Sequence, residues 1–548
     1  MTAALYLHPD GYDTTGKALL GRHSAGESFL RGYLKHARAD HHLMWNVAGR
    51  PVPELEAMLA RVGPPTRPVA WVERRDRHGL GRAGVLNMPV PDIPLESWQR
   101  QPYGPTRYAI TGITHTTATA AVMSIIPSLL LSPLQDFDTL ICTSTAVRAS
   151  VETQLNEVRD YLAADYGPRR RPEPARTTIP LGVNAADFAT SPEARAQWRA
   201  RLDIPDDAVV ALYVGRFNVR AKMNPGLMAM ALERAAALTK RKICWVNSGW
   251  ADTPELEAHY HQVSRDLCPS VLYRSVDGRP ADVRFSIWSV GDFFISFSDN
   301  IQETFGLTPV EAMAAGLPCV VTDWDGYKDT VRHGEDGFRI PTWAPPSGSG
   351  GDFSYWFANR WIDYDSYVGG VAQYVALDYP AAAEAIRVLV DDEALRARMG
   401  ASARERARDV FDWATIIPQY EALWAEQNIR RLASSATATR GNPWRPDPYL
   451  LFENYPTHHL TPENEVTLVP GMTWPKAKAR LDAPLAIYSR FNRPMEGDVQ
   501  TVLAYLAGRP SARVDDIVAQ VAPAQRSYVQ RGLLWLARHD VIIILPPR

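Results

Sequence analysis

The chain has 548 residues, 46% hydrophobic and 22% charged, with 59 Lys and Arg against 61 Asp and Glu. A net charge of −2 excludes the global basicity of a nucleic-acid or anionic-membrane binder. The length allows roughly three to four domains of ordinary size. The four cysteines, Cys142, Cys244, Cys268 and Cys319, are far apart and show no CxxC spacing. That pattern points to a reducing cytoplasm rather than a disulfide or zinc scaffold. The opening MTAALYLHPDGYD has no basic region, long apolar core or cleavage site, so no signal peptide is expected. The longest apolar tract, residues 118–134, is interrupted by Ser124, Pro127, Ser128, Ser132 and Pro133 and is too short to span a bilayer. Peripheral membrane contact stays open.

In chain order, short apolar runs predict strands at 4–7, 42–47, 69–72, 108–110 and 139–142, with a helix at 29–36. Such alternation predicts an α/β domain with a parallel sheet over residues 1–190. A basic, proline-rich connector at 168–174 leads to a second α/β unit over 191–410, with strands at 209–214, 243–247, 271–273, 293–297 and 319–322. Residues 343–375 interrupt it. They begin with a flexible Pro/Ser/Gly run at 345–351 and continue through Tyr355, Trp356, Phe357, Trp361, Tyr364 and Tyr367. The insertion suits either of two roles: shaping a ligand pocket with its aromatic faces, or packing on the C-terminal region. Residues 380–431 read as helical, with 411–431 as a final crossover helix, and 432–495 as an extended linker. From 496 to 548 helices at 499–506, 514–521 and 524–538 and a strand at 541–545 predict a winged-helix-like unit.

Chemistry concentrates between Ser298 and Gly326, SDNIQETFGLTPVEAMAAGLPCVVTDWDG. Phe293, Phe294, Ile295 and Phe297 read as a buried parallel strand. Beyond it, Thr308-Pro309-Val310-Glu311 reads as a capping box with proline at the first helical position. The helix is expected to stop at Gly316. Taken alone, Glu311 is a helix cap and Glu303 a solvated loop acid. A second reading uses the same geometry. Free N–H groups at a helix start attract phosphate, and ligands of open α/β sheets bind outside the carboxyl ends of the strands.

This segment resembles the Glu-x7-Glu motif of retaining glycosyltransferase family 4, matching at Glu303, Phe305, Gly306, Glu311, Ala312, Gly316, Pro318 and Gly326. The resemblance covers about residues 1–430. It implies a GT-B fold: two Rossmann-like domains facing a cleft, here followed by the winged-helix-like unit. It also implies that Glu303 holds the donor sugar, Glu311 the nucleotide ribose, and Thr304, Phe305, Gly306 and Leu307 the diphosphate and sugar. Gly215 and Arg216 follow the 209–214 strand and Lys222 comes six residues later. A departing diphosphate gathers negative charge, so fixed cations lower its barrier, and the resemblance assigns Arg216 and Lys222 to it. By the same resemblance His115 stands near the donor sugar, and residues 273–277, including Arg274, lie near the base through backbone contacts. The stretch around Gly26 looks like the family's first-domain Gly-Gly loop, with Ala25 in place of one glycine; His23 is a weaker candidate there.

Three Asp-x-Asp strings, 136–138, 323–325 and 363–365, do not converge on a metal pattern, so no catalytic metal and no cofactor are expected. The C-terminal unit carries six basic and five acidic residues over 496–548, a poor footprint for DNA. Docking, dimerisation or a structural role suits it better, and a homodimer is left open. The reading is therefore a retaining, metal-independent hexosyltransferase. Its donor is a nucleotide diphosphate sugar, UDP- or GDP-linked, and its acceptor a carbohydrate or other hydroxyl. The alternatives are a GT-B sugar phosphorylase, or a sugar-nucleotide-sensing regulator acting through the winged helix.

Overall fold

The computed structural model describes residues 3–12, 21–167, 171–438, 441–484, 486 and 494–545, without the side chains of 21–24 and 524. The chain divides into two units, Met1–Gly441 and Asn442–Arg548.

The first unit holds two parallel sheets. One consists of β1 (Ala4–Leu7), β2 (His42–Asn46), β3 (Val69–Val72), β4 (Val85–Asn87), β5 (Ala109–Thr114), β6 (Thr139–Cys142) and β7 (Ala175–Thr178), in the order β3-β2-β1-β4-β5-β6-β7. The other contains β8 (Val209–Val214), β9 (Ile243–Gly249), β10 (Leu272–Asp277), β11 (Phe293–Ser296), β12 (Cys319–Thr322) and β13 (Gly337–Ile340), in the order β10-β9-β8-β11-β12-β13. Both are doubly wound, and both reverse direction between their first and fourth strands. That reversal opens a crevice at the carboxyl ends of β8 and β11, the place where such sheets bind ligands. The strands beside it are apolar up to a terminal Ser296 or Thr322, and every residue of β11 and β12 is buried, as a sheet covered on both faces requires.

Three strands of the two parallel sheets, β4, β7 and β13, were not foreseen. β4 has three residues and β7 reads ARTT, too short and too polar for the periodicity to register. The crossover helix, Trp413–Ala433, lies against the first domain. Trp413 Nε1 donates to Ser28 Oγ at 2.8 Å. The buried Gln427 amide accepts from Thr111 Oγ1 at 2.7 Å and donates to Phe137 O at 3.0 Å. A buried amide with its partners met on β5 and ahead of β6 locks the helix register.

The insertion is ordered. A two-residue strand pair, Thr342–Trp343 with Ala376–Leu377, closes its base, and helices Gly351–Ala358 and Tyr364–Ala372 fill it. The expected flexible run thus ends in a helix start.

The second unit corrects the boundary at 496. Strand Glu465–Leu468, inside the expected linker, is central in a three-stranded antiparallel sheet, pairing with Ala512–Arg513 and Ile542–Ile544. Helices Trp474–Leu481, Glu496–Leu506, Val514–Val518 and Arg526–Arg538 share its core through Leu481, Leu503, Ile517 and Leu533. The Pro-rich composition of 432–495 masked a four-residue strand that is half-polar on its exposed face.

Candidate functional site

The strand ends of β8 and β11 are held by backbone-directed side chains. After β8, Asn218 Oδ1 accepts from Arg220 N and Ala221 N at 3.0 and 2.8 Å, folding the loop so that Lys222 turns inward. After β11, Asn300 Nδ2 donates to Arg220 O at 2.6 Å and ties the two loops together. Thr322 Oγ1 and Trp324 Nε1 donate to Ser298 O and Asn300 O at 2.6 and 3.0 Å. Neither asparagine was singled out from the sequence, because an Asn in a loop carries no signal until its acceptors are known.

On this frame Lys222 Nζ stands 3.4 Å from Glu303 Oε2. Tyr213, at the end of β8, is close enough for the Glu303 charge to raise its hydroxyl further after burial has done so. Arg216 follows Gly215, where a Cβ would come within 2.6 Å of the Tyr213 hydroxyl. Among the described residues no carboxylate pairs with the Arg216 guanidinium, whose neighbours include Tyr213 and Tyr364.

The helix after Glu303 departs from the expected capping box. It runs Leu307–Ala315, and its N-cap is Gly306, in the left-handed region at φ 83°. Pro309 is therefore its third residue, and Glu311 lies beyond reach of the cap. Gly306 is there for two reasons: the backbone is left-handed, and a Cβ would sit 2.1 Å from the Tyr327 ring. The N–H groups of Leu307 and Thr308 have no intrahelical acceptor, as at every helix start, and form the positive end of the helix dipole. Thr308 instead meets the Tyr327 hydroxyl, which also bonds Ser296 Oγ at 2.9 Å. The predicted stop at Gly316 is seen, with φ 81° and a 2.9 Å bond from Leu317 N to Ala312 O.

Glu311 lines a narrow cavity of about 60 Å³ between the domains, with Glu27, Arg31, Asn184, Arg284 and Leu307 on the other walls. The residue keeps some surface, but its carboxyl is enclosed, and burial pushes it up to about 7 against the opposing pull of Arg284. Arg284 was not foreseen; it comes from a short helix with no motif of its own.

The first domain closes over the second through polar bonds. Thr304 Oγ1 donates to His115 O at 3.1 Å, and Thr143 Oγ1 to Thr304 O at 3.4 Å. Asp329 accepts from Thr145 N and Oγ1 at 2.6 and 2.7 Å, at the start of helix Thr145–Tyr166. Asp325, left-handed at φ 41°, lies 3.5 Å from Ser144 Oγ; burial first, then the Glu303 charge, push its carboxyl up to about 8. His115, at the end of β5, thus reaches the cluster through its carbonyl.

One expected loop is not seen, and the Arg274 side chain is engaged within its own domain. Gly26 is inside helix Gly21–His36, not in a loop, and its missing side chain lets the helix pack on Gly11, whose carbonyl oxygen a Cβ would approach to 2.0 Å. The side chain of His23 is outside the described residues. Arg274 is on β10, with its guanidinium bound to the carbonyls of Leu202 and Asp203. The Asp-x-Asp strings are committed to structure. Asp138 grips the buried Arg100 through two 2.7 Å bonds, Asp323 pairs with Arg339 at 3.3 Å, and Asp363 caps helix Tyr364–Ala372. Among the described residues no three His, Cys, Asp or Glu side chains converge, and no helix is long and apolar enough to cross a membrane.

Residues 208–347 match the family described as Glycosyl transferases group 1. The match covers β8 to the start of the insertion, and so includes Arg216, Lys222, Glu303 and Glu311. The D-inositol 3-phosphate glycosyltransferase of Corynebacterium efficiens is 29% identical over 252 residues, 45% of this chain and 49% of that protein. The protein of the same name from Kineococcus radiotolerans is 31% identical over 286 residues, 49% and 57% of the respective lengths. The chain spans about half the length of the curated relatives it matches. Among solved structures, Anabaena Alr3699/HepE in complex with UDP superposes with a TM-score of 0.51 at 14% identity, over 78% of this chain and all of that one. That likeness is one of fold, and it extends over both doubly wound domains.

Proposed function

We propose that this chain is a retaining glycosyltransferase that moves a hexose from a UDP- or GDP-linked donor to an acceptor hydroxyl without a metal. The observation that carries the reading is the pairing of Lys222 with Glu303 at the switch point of the second sheet, beside Arg216, which no carboxylate among the described residues engages, and the glycine-capped helix start. Two cations and free N–H groups suit a diphosphate, and a carboxylate next to them suits sugar hydroxyls. The match over 208–347 and the names of the relatives support sugar transfer; UDP bound to the HepE fold supports a nucleotide donor.

In this reading Arg216, Lys222 and the Leu307 and Thr308 N–H groups stabilise the leaving diphosphate. Glu303 orients the hexose, and His115 borders it from the other domain. The anomeric carbon–oxygen bond to phosphate breaks while the acceptor oxygen bonds the same face, and the acceptor proton passes to the leaving phosphate oxygen. Glu311 accepts from the ribose hydroxyls. A cavity of about 60 Å³ is too small for a nucleoside, so donor entry parts the domains. Such parting would release the bonds across the domains, from Thr304 to His115, Thr143 to Thr304, Ser144 to Asp325 and Thr145 to Asp329. In the C-terminal unit the helix order and three-stranded sheet support a winged-helix-like module, whose charge balance suits a protein contact better than DNA.

The test is donor hydrolysis and transfer with a panel of nucleotide sugars, alongside nucleotide binding by calorimetry. Turnover with one donor, lost in Glu303→Ala and Arg216→Ala, is expected. Turnover of a glycoside with inorganic phosphate and no nucleotide would establish a phosphorylase instead. Tight DNA binding without any turnover would leave only the regulatory reading.

A further inference from the structure

The inserted segment sits on the rim of this site. Val368 is fully buried against Ala118 of the first domain and Ala221 of the second, with Tyr364 and Tyr367 beside it. The Tyr364 hydroxyl bonds Thr116, just past His115, and feels the Arg216 charge. Gly369 lies on the Arg220 backbone, where a Cβ would approach Cα to 3.0 Å. Helix Tyr364–Ala372 therefore rests on both domains beside the Arg216 to Lys222 loop.

The preceding helix is stacked on that support. Phe357 lies flat on Tyr367, with ring centroids 4.3 Å apart and planes 4° from parallel. Its outer face shows the opposite character: Tyr355 and Trp361 are 56% and 66% exposed, with ring centroids 5.3 Å apart at 89°. The pair is held by backbone. Helix Gly351–Ala358 ends with Arg360 at φ 59°, and Trp361 N donates to Trp356 O at 2.9 Å, the six-to-one bond of a Schellman turn. A non-glycine residue in that region costs about 1–2 kcal/mol, so the turn that presents Trp361 is kept against an intrinsic preference. Three Cα-to-Cα steps, at most about 11 Å, separate Trp361 from Tyr364 on the site rim.

We propose that Tyr355 and Trp361 form a platform for a saccharide chain, and that the acceptor is an oligosaccharide whose distal sugars stack there while its reacting hydroxyl enters the cleft. This rests on the glycosyltransferase reading. Two perpendicular rings offer an apolar face and a polar O–H or N–H edge, as a pyranose with an apolar C–H face and a hydroxyl rim requires. The charges argue against an anionic bilayer. Residues 343–375 hold Asp352, Asp363 and Asp365 against one basic residue, Arg360, whereas binding to anionic lipid calls for clustered Lys and Arg.

The experiment is calorimetric titration of the full chain with neutral tetra- to hexasaccharides (α-1,4- and β-1,4-glucans, a β-1,3-glucan and a chito-oligosaccharide) and with their monosaccharides. Donor hydrolysis is measured in parallel without acceptor. At least one oligosaccharide is expected to bind more tightly than its monosaccharide. Trp361→Ala is expected to weaken it about tenfold, equivalent to about 1.4 kcal/mol, with Trp361→Phe recovering part and donor hydrolysis unchanged in both. Binding by none of the probes, or equal binding by wild type, Trp361→Ala and Tyr355→Ala, overturns the proposal. So does loss in Trp361→Ala of co-sedimentation with phosphatidylcholine or phosphatidylglycerol vesicles, or of self-association, in place of saccharide binding. Because binding is read without turnover, a Trp361-dependent platform without donor hydrolysis would sink the enzymatic reading alone, and the reverse result this inference alone.

Discussion

Replacing Lys222 by Gln separates what the cation does for the fold from what it does for a leaving group. At 3.4 Å the attraction to Glu303 is about 5 kcal/mol in gross terms at an effective dielectric of about 20. The Lys222 side chain is 34% exposed, and for a solvent-touched pair desolvation and side-chain ordering leave a net of about 0–1 kcal/mol. The melting temperature should therefore fall by no more than about 4 °C, given the size of the first unit. The leaving diphosphate is another matter, because charge develops there only in the transition state. Losing one preorganised charge partner costs about 100- to 1000-fold in rate, or about 2.7–4 kcal/mol. Calorimetric unfolding and single-turnover donor hydrolysis on the same preparation read the two quantities. Lys222→Arg, which keeps the charge but moves it, should recover part of the rate. If Lys222→Gln hydrolyses donor within about threefold of wild type, or if its rate loss is matched by a comparable loss of stability, Lys222 is a structural partner of Glu303 and not a diphosphate ligand.

Gly306→Ala should destabilise by about 2–4 kcal/mol, combining a left-handed backbone with displacement of the Tyr327 ring; a melting temperature equal to wild type would show that the turn relaxes freely. For Glu311, a carboxyl pushed up to about 7 accepts from both ribose hydroxyls with both oxygens, and most strongly, once ionised. Nucleotide affinity should then rise as pH goes from 6 to 8 and be flat in Glu311→Gln; parallel pH curves for the two would remove Glu311 from the ribose. Asp299 is buried with its Oδ1 unpartnered and its carboxyl raised by burial to about 7. The fold therefore binds a proton that the unfolded chain releases near pH 4, and ionisation costs stability as pH rises through 4 to 7. Asp299→Asn should match wild type near pH 4 and exceed it at pH 8 by on the order of 1–3 kcal/mol, a discount on the full shift; a pH-independent difference would contradict this.

The sequence by itself determined both doubly wound domains, the helix stop at Gly316 and the loops carrying Arg216, Lys222 and Glu303. Those features are written locally, in apolar runs of strand length, in glycines that alone accept left-handed backbone, and in the strand ends that precede each loop. Tertiary structure decided what depends on partners distant in the chain. The capping box at 308–311 was plausible from neighbours alone, yet packing of Tyr327 against Gly306 starts the helix two residues earlier and frees Glu311 for the interdomain cavity. Gly26 looked like a phosphate loop and proves to be a helix contact, because only the fold brings Gly11 beside it. Asn218, Asn300 and Asp325 gained meaning only once their bonds were visible. The strand at Glu465–Leu468 was hidden for the same reason: its two partners are 46 and 78 residues further along, counted from Val466 to Ala512 and to Ile544, and a four-residue strand is recognised by its sheet rather than by its own pattern.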